Sequence, residues 1–399
     1  MDNIIQKLFD KDKEKLHKLT TEAISNCHIF LRHNYRDPSI VSLRDISRFI
    51  KIVEFFQDYY QKKNNLGQID DDIKKLYKIK SIICSIYLCY YIRLKDEYKR
   101  RNFDYTLQKS LLNIVNVYSE EKDEDKDREG DLYSKIKYGR LRDDFREHNF
   151  RYFSDLLRIE EEFLLDQIEL DEGIGKNQLL KENLFLLFIS IITKIPLIIV
   201  GKPGTSKTIS TQLIYNSMRG KYSKNEFFKK YPQIIQTYFK GSYSTKPEDI
   251  INLFNEIENS IEQNVSKDII PINMIIFDQI DLVERSPTNP LKILNYKLEF
   301  DNKNENISFV CISNYTLNGK IMNKALCLPV PNLENKLDQL RETSKKIVEG
   351  ISDDIIYSDS IFIFDLLSRT YYLYKYYLPN LVLVNIKLYS FFLHPKLDY

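Results

Sequence analysis

The chain has 399 residues, and its 59 Lys and Arg against 57 Asp and Glu leave a formal net charge of only +2. This length is typical of two or three compact domains. A hydrophobic share of 43% is enough to fill their cores, which excludes a globally disordered chain. The nearly balanced charge also argues against nucleic acid as a partner, because phosphate binding needs a concentrated basic surface.

The cysteines predict a reducing compartment. Cys84 and Cys89 lie in one apolar run, and the others are Cys27, Cys311 and Cys327. An odd number without short paired spacings fits neither a zinc site nor a redox motif, and favours buried, reduced thiols. The amino-terminal residues are charged and amphipathic rather than a secretory signal. We therefore expect a cytoplasmic protein.

The most apolar stretch runs from Leu184 to Val200, and it is about long enough to cross a bilayer. Lys194 and Pro196 interrupt it, and both are costly inside a membrane helix. We interpret the stretch as a buried helix that leads into a buried strand, and we predict no membrane span.

The first part of the chain, residues 1–115, has the pattern of helices. Apolar residues in 40–60 recur at steps of three and four, and Ser42 followed by Asp45 is typical of a helix start. A second apolar helix is predicted at 81–94. Nearly every residue of 120–131 is charged, so we expect a solvated linker there, with an acidic docking element as the alternative. Helical patterning resumes through 151–170.

From about Leu179 the pattern changes to short apolar runs that alternate with helices, which predicts an α/β domain with a parallel sheet flanked by helices. Beyond about residue 333 the pattern is helical again. The predicted strands are 197–200, 238–243, 274–277 and 308–313, and helices are predicted at 247–262 and near 290–299.

A glycine-containing loop follows the first of these strands and matches the phosphate-loop pattern. Lys207 is placed to reach the β- and γ-phosphates of a nucleotide, and Thr208 to hold Mg²⁺. Ser206 stands where a second glycine is usual, so a Cβ narrows the conformations open to the loop. The alternative is a Gly/Pro turn that contains Lys-Thr by chance. The candidate nucleotide-binding residues are Gly201, Lys202, Pro203, Gly204, Thr205, Ser206, Lys207 and Thr208.

The strand at 274–277 leads directly into Asp278, which is placed to hold the Mg²⁺ shell. An ATPase normally has Glu next, and this chain has Gln279. A neutral amide positions water but cannot accept its proton, so about 10²–10⁴-fold of general-base catalysis is expected to be lost. Asp281 and Glu284 lie nearby as alternative bases, although neither is at the expected position, and both are interpreted as solvated acids of a turn.

The last predicted strand ends in Ser313 and Asn314. A polar side chain at this position can orient the attacking water towards the γ-phosphate, although Ser-Asn is also a common turn opener. We therefore place Gln279 and Asn314 together as the candidate catalytic residues.

Three segments together resemble mysterin, the giant RING-finger ATPase family with a ring-forming AAA+ core: KENLFLLFISIITKIPLIIVGKPGTSKT, DQIDLVERSPTNPLKILNYKLE and ISFVCISNYTLNGKIMNKAL. The resemblance covers about 179–330. It implies a P-loop NTPase fold of the AAA+ type, with ATP and Mg²⁺ as cofactors. It also implies adjacent AAA+ modules, in cis or in a ring, and ubiquitin-pathway proteins as partners.

The same resemblance implies a domain layout, in which the helical segments lie on both sides of the α/β core. Residues 1–119 resemble the lid of a preceding AAA+ module, with Arg44 as a sensor of that module's nucleotide. The charged linker 120–131, a helical connector at 132–178, the AAA+ core at 179–332 and a truncated lid at 333–399 follow. Half a lid, one core and an eroded second lid are the pattern expected of a fragment.

Two departures from the family pattern limit the expected activity. The family has Arg after Met-Asn, and this chain has Lys324, which keeps the charge and loses the bidentate fork. No Cys and His spacing suits a RING finger, so we expect no ubiquitin-ligase site on this chain. The predicted activity is ATP hydrolysis that is attenuated by Gln279, and the alternative is an ATP-binding scaffold that does not hydrolyse.

Overall fold

The computed structural model describes residues 14–36, 40–64, 70–118, 132–171, 174–264, 270–300 and 306–330, together with Leu366, Arg369 and Thr370. The chain divides into two compact units, one of residues 1–169 and 181–331 and the other of residues 170–180 and 332–399. The predicted linker at 120–131 and, apart from those three residues, the predicted lid at 333–399 lie outside the described residues.

The amino-terminal part is helical, as its apolar periodicity predicts, with 3₁₀ turns at Tyr91–Arg93 and Asn116–Tyr118. The helices predicted at 40–60, 81–94 and 151–170 are confirmed, with different bounds. The helices are α1 (Glu14–Tyr35), α2 (Leu43–Asn64), α3 (Asp71–Cys89), α4 (Glu97–Val115), α5 (Leu132–Lys135), α6 (Gly139–Glu147) and α7 (Asp155–Asp166).

Helix α2 begins with the capping arrangement that the sequence indicates. The backbone N–H of Ser42 donates to Asp45 Oδ2 at 2.8 Å, and the backbone N–H of Arg44 donates to Ser42 Oγ at 3.3 Å. These contacts satisfy backbone groups that the first helical turn leaves without partners. Phe49 and Phe56 on the apolar stripe are fully buried, so the periodic face of α2 is its packing face.

The strands in the second part of the chain form one five-stranded sheet in the order β2-β3-β4-β1-β5, and all its neighbouring strands are parallel. The strands are β1 (Leu197–Val200), β2 (Ile234–Lys240), β3 (Ile272–Asp278), β4 (Ile307–Ser313) and β5 (Leu326–Pro329). The helices are α8 (Gln178–Thr193), α9 (Lys207–Ser217), α10 (Glu226–Lys229), α11 (Pro247–Asn264), α12 (Ile280–Glu284), α13 (Leu291–Phe300) and α14 (Gly319–Met322).

The strand predicted at 238–243 is wrong in its bounds, since β2 ends at Lys240. The chain turns at Gly241, where a Cβ would stand 2.4 Å from Val283 Cγ2 and 2.9 Å from the carbonyl oxygen of Gln279. Because helix α12 approaches the backbone so closely there, the polar residues after Lys240 cannot continue the strand. The four-residue strand β5 was not predicted, because it ends in Pro329, and a proline within a short apolar run argues against a strand unless the strand lies at the edge of a sheet, as β5 does.

The sheet is covered by apolar side chains of the surrounding helices. Phe254 of α11 and Leu294 of α13 belong to the same buried cluster as Phe277 of β3 and Cys311 of β4. All five cysteines are buried and free, as the sequence predicts. The apolar stretch 184–200 forms the end of α8 and all of β1. In the described ranges, no helix combines the length and the apolar character that crossing a bilayer requires.

The sheet topology determines where polar residues gather. Val200 of β1 pairs with Ser313 of β4, and Asp278 of β3 lies one strand further along, beside Ile312. Because the strands are parallel, the loop that follows Val200 and the residues that follow Ser313 and Asp278 lie at one edge, the carboxyl ends of the strands. Ligands of open α/β sheets bind at this edge.

Candidate nucleotide-binding site

The loop between β1 and α9, Gly201 to Ser206, is folded tightly against itself. The N–H of Gly201 donates to Ser313 O at 3.0 Å, and Thr205 Oγ1 donates to Lys202 O at 2.8 Å. A Cβ at Gly201 would stand 2.8 Å from Thr205 Oγ1 and 2.9 Å from Val330 Cβ. The loop therefore requires glycine at its first position.

Two residues of the loop have a left-handed backbone. Gly204 has φ of 81° and Ser206 has φ of 58°. Glycine adopts this conformation freely, whereas a side chain there costs about 1–2 kcal/mol. Ser206 thus stands in a conformation that favours the glycine usual in phosphate loops.

The side chain of Asn183, on α8, supports the loop through a hydrogen bond to its backbone. It is fully buried, and its Nδ2 donates to Thr205 O at 3.0 Å. Its contribution could not be predicted from the sequence, because a single Asn in an apolar helix carries no signal of the loop it will meet.

Lys207 is the buried cation of the site, with only 6% of its surface exposed. Its Nζ donates to Gly201 O at 2.5 Å and to Lys202 O at 2.9 Å, and it lies 3.4 Å from both Thr205 Oγ1 and Asn314 Oδ1. Burial lowers the pKa of Lys207 from its ordinary value, and the nearby carboxylates of Asp278 and Asp281 act in the opposite direction.

The remaining candidate residues of the loop face solvent. Lys202, Pro203, Gly204 and Thr208 are exposed, and Thr208 lies in the first turn of α9. Backbone N–H groups in that turn have no helical acceptors, and the helix dipole favours an anion there. The arrangement leaves a hydroxyl and a positive helix end open to a ligand.

Asp278, at the end of β3, is held at both carboxylate oxygens. Oδ1 accepts from the backbone N–H of Gln279 at 2.8 Å, and Oδ2 accepts from the hydroxyl of Tyr238 at 2.5 Å. Partial burial of the hydroxyl, and then its bond to Asp278, raise the pKa of Tyr238 to about 12. Sequence reasoning missed Tyr238, because the pairing of β2 with β3 and its register are properties of the sheet that local sequence does not carry.

Gln279 precedes helix α12 with φ of 57° and ψ of 41°, and its side chain makes no capping hydrogen bond to that helix. Like Ser206, it is a residue of the site that has a left-handed backbone without being glycine. Gln279 therefore lies at the carboxyl ends of the strands, next to Asp278 in the chain.

The interpretation of Asp281 as a solvated acid is wrong. Only 4% of its surface is exposed, and its Oδ1 accepts from Ser313 Oγ at 3.4 Å and from the N–H of Asn314 at 3.3 Å. The short helix α12 places the carboxylate against the end of β4. Glu284 is partly buried and accepts from the N–H of Asn318 at 2.7 Å.

Two further residues from the sequence analysis lie away from this cluster of contacts. Lys324 donates from Nζ to Asn295 O at 2.9 Å, so its ammonium contacts the backbone of α13. Arg44 is exposed in the first turn of α2.

The residues at the carboxyl ends of the strands have the chemistry to bind a Mg²⁺-nucleotide. Mg²⁺ prefers oxygen ligands and keeps several waters, and the Thr208 hydroxyl and the Asp278 carboxylate are such ligands. Each Asp278 oxygen accepts one described hydrogen bond, which leaves a lone pair for a metal or its water. In the described part of the chain, no cluster of three or more His, Cys, Asp or Glu is placed to hold a metal ion.

A parallel five-stranded sheet flanked by helices, with such a loop after β1, the strand between β4 and β5, defines the class as an α/β fold of the AAA+ type. Residues 173–336 match the family model described as the RNF213 AAA domain. The mysterin resemblance is thereby confirmed: the chain contains an RNF213/mysterin-like AAA region.

Curated relatives resemble most of the chain. The E3 ubiquitin-protein ligase RNF213 of Homo sapiens is 25% identical over 367 residues, or 86% of this chain. The E3 ubiquitin-protein ligase rnf213-beta of Danio rerio is 26% identical over 317 residues, or 77% of this chain. The chain spans about 6% of the length of each relative.

The solved structure of C. elegans PCH-2 is 16% identical, with a TM-score of 0.29 over 50% of this chain and 55% of that chain. A likeness this low supports no structural argument.

Proposed function

We propose that the chain binds Mg²⁺-ATP at Gly201–Thr208 and changes conformation with the nucleotide state. The observation that carries the proposal is the position of Lys207, whose ammonium lies among two loop carbonyls and Asn314 Oδ1 at the start of α9. A phosphate chain offers the same cation better acceptors, because charged oxygens form stronger hydrogen bonds than carbonyls. The choice of ATP rests on the similarity to the RNF213 AAA domain.

Each residue then has a defined part. Backbone N–H groups of the loop and the start of α9 hold the phosphates, and Lys207 reaches the β- and γ-phosphates. Thr208 and Asp278 would hold Mg²⁺. When bound, Mg²⁺ would neutralise part of the phosphate charge. Asn314 orients a water towards the γ-phosphate.

Hydrolysis is slow in this proposal, because Gln279 cannot accept a proton from that water. Asp281 does not replace the missing base, since its carboxylate is engaged by Ser313 and by the backbone of Asn314. A neighbouring module supplies the arginine that AAA+ sites use.

The larger context is a mysterin-like ring ATPase associated with ubiquitin transfer, in which this chain acts as one AAA+ module in the cytoplasm. Residues 1–119 act as the lid of a preceding module, 120–131 as a linker and 132–178 as a connector, before the core at 179–332 and a lid at 333–399. The ubiquitin-ligase site lies outside this chain.

Isothermal titration of Mg²⁺-ATP into the full chain tests the proposal. We expect micromolar binding, and a loss of about 100-fold or more in Lys207→Ala, since a charged phosphate contact is removed. Lys221→Ala is the control, because it removes the same charge from an exposed position. Equal thermal unfolding of the three proteins shows that the fold is kept. Absence of binding by the wild-type chain would overturn the proposal.

The presence of Gln279 favours a second candidate, a scaffold that keeps ATP as a structural ligand. ATP turnover by Gln279→Glu separates the two, because Gln and Glu have nearly the same shape and only Glu can accept the proton. A rise of about 10-fold or more indicates a competent but attenuated ATPase. Unchanged turnover favours the scaffold.

A further inference from the structure

The hydroxyl of Tyr238, on β2, contacts Asp278 at the end of the neighbouring strand β3. In the β2–β3 register, Lys240 lies opposite Asp278 and Tyr238 lies opposite Ile276. Side chains two residues apart share a face of a sheet, so Tyr238 is the diagonal neighbour of Asp278. The diagonal tyrosine, with its hydroxyl 2.5 Å from Oδ2, makes the contact with the carboxylate.

This contact fixes the orientation of the carboxylate. The N–H of Gln279 holds Oδ1 at 2.8 Å, and Tyr238 holds Oδ2. Rotation of the carboxylate breaks both hydrogen bonds at once. The Tyr238 bond is the one that a side chain provides, so it is the one that a substitution can remove without changing the backbone.

We propose that Tyr238 is the positioning residue that orients the Asp278 carboxylate towards Mg²⁺ and thereby sets the Mg²⁺ requirement of ATP binding. The inference deepens the proposed function and rests on it. Carboxylates that bind metals are themselves held by hydrogen bonds, and losing such a partner typically costs about 10–100-fold in metal affinity.

A purely structural role for Tyr238 is poorly supported by its packing. Its side chain is 49% exposed, whereas the next residue along β2, Phe239, packs on Phe277 with ring centroids 4.8 Å apart. Phe239 therefore supplies the apolar contact with β3. Removing only the Tyr238 hydroxyl leaves this packing and the strand register unchanged.

The test is Tyr238→Phe in the full chain, with ATP affinity measured by titration across a Mg²⁺ series and in EDTA. We expect the Mg²⁺ concentration for half-maximal binding to rise about 10-fold, while the weaker affinity measured in EDTA is unchanged. Tyr243→Phe is the matched control, since Tyr243 is 53% exposed and the same chemical group is removed there. We expect no change in this control.

A double variant makes the test specific to the carboxylate. In an Asp278→Asn background, Tyr238→Phe is expected to add no further Mg²⁺ requirement, because the charged group that it orients is already absent. Unchanged Mg²⁺ dependence in Tyr238→Phe, or an equal loss of affinity with Mg²⁺ and in EDTA, would overturn the inference while ATP binding itself stands. A wild-type chain that binds no ATP overturns the proposed function instead, and the inference with it.

Discussion

The amino-terminal helices and the sheet region both bury charged side chains, but they use them differently. In the helices, buried charges contact one another, both within α2 and between α2 and other elements. Asp45 accepts from Arg48 at 2.9 Å and also from Arg93, and Glu160 accepts from Lys63 at 2.7 Å. In the sheet region, the buried Lys207 instead donates hydrogen bonds to carbonyl oxygens of the loop between β1 and α9, at the carboxyl ends of the strands. Charges of the first kind hold helices together, and charges of the second kind are placed to meet a ligand.

Non-glycine residues with positive φ also occur in different settings, which are distinguished by their position relative to a helix. Arg36, Asn149 and Lys194 have positive φ, and each follows the end of a helix, where a left-handed residue commonly ends the helix. Ser206 and Gln279 have positive φ at the residue before a helix. Strain of this kind concentrates at functional sites, and both of these residues belong to the candidate site.

The largest effect is expected from Asp45→Ala in the helical region. Burial alone would raise the pKa of Asp45, but the guanidiniums of Arg93 and Arg48 outweigh it and hold the pKa below its ordinary value. Removing the carboxylate leaves the two buried guanidiniums without their anionic partner, and it removes one of the two capping hydrogen bonds of α2, the one from the N–H of Ser42. We expect a loss of about 3–5 kcal/mol in the free energy of unfolding, measured by urea denaturation.

The control for this substitution is Asp58→Ala, which removes a carboxylate from an exposed pair with Lys62 at 2.7 Å. Exposed pairs contribute about 0–1 kcal/mol, so this variant is expected to unfold almost as the wild type does. If the two variants lost similar stability, the charges of the helical region would not be the structural pairs described above.

Much of the sheet could be predicted from the sequence, because a strand buried on both faces is a continuous apolar run. LIIV at 197–200 matches β1, and the runs at 274–277 and 308–313 lie within β3 and β4. The edge strand β2 has a mixed burial pattern, and its end is set by contact with α12. That contact joins distant parts of the chain, so no local pattern predicts it.

The candidate site was predictable only where a residue belongs to a local motif in or just after a strand. Lys207, Asp278 and Asn314 lie at the edge that the motif predicts, and their roles remain predictions. The Tyr238 contact and the burial of Asp281 depend on strand register and on the turn of α12. Neither is encoded in the spacing of residues along the chain.

A second prediction concerns Asp104, another buried acid of the helical region. It is 5% exposed, and it accepts from Tyr87 OH at 2.5 Å and from Ser154 Oγ at 3.0 Å. Burial raises its pKa from 3.8 to about 6, although these two hydrogen bonds act in the opposite direction. The folded protein therefore binds this proton more tightly than the unfolded chain does.

The stability from this proton is fully present below about pH 4 and is lost as the pH rises through 6. Asp104→Asn is isosteric and does not titrate. Its free energy of unfolding, minus that of the wild type, is expected to increase by up to about 3 kcal/mol between pH 4 and pH 8. Urea denaturation at each pH measures the difference, and contributions from other titrating groups cancel. A difference that is independent of pH would contradict the buried, proton-binding role of Asp104.

The smallest effect, and the sharpest test of the strain at the site, is expected from Ser206→Gly. Glycine relieves the penalty of about 1–2 kcal/mol for a Cβ at positive φ, while the greater freedom of the unfolded chain offsets about 0.4–1 kcal/mol of it. We expect a net gain of about 0–1.6 kcal/mol in the free energy of unfolding. Ser206→Ala, which keeps the Cβ and loses the hydroxyl, is expected to give no gain. Equal gains in both variants would assign the effect to the hydroxyl. A loss in Ser206→Gly would mean that the loop gains more from this serine than its backbone conformation costs.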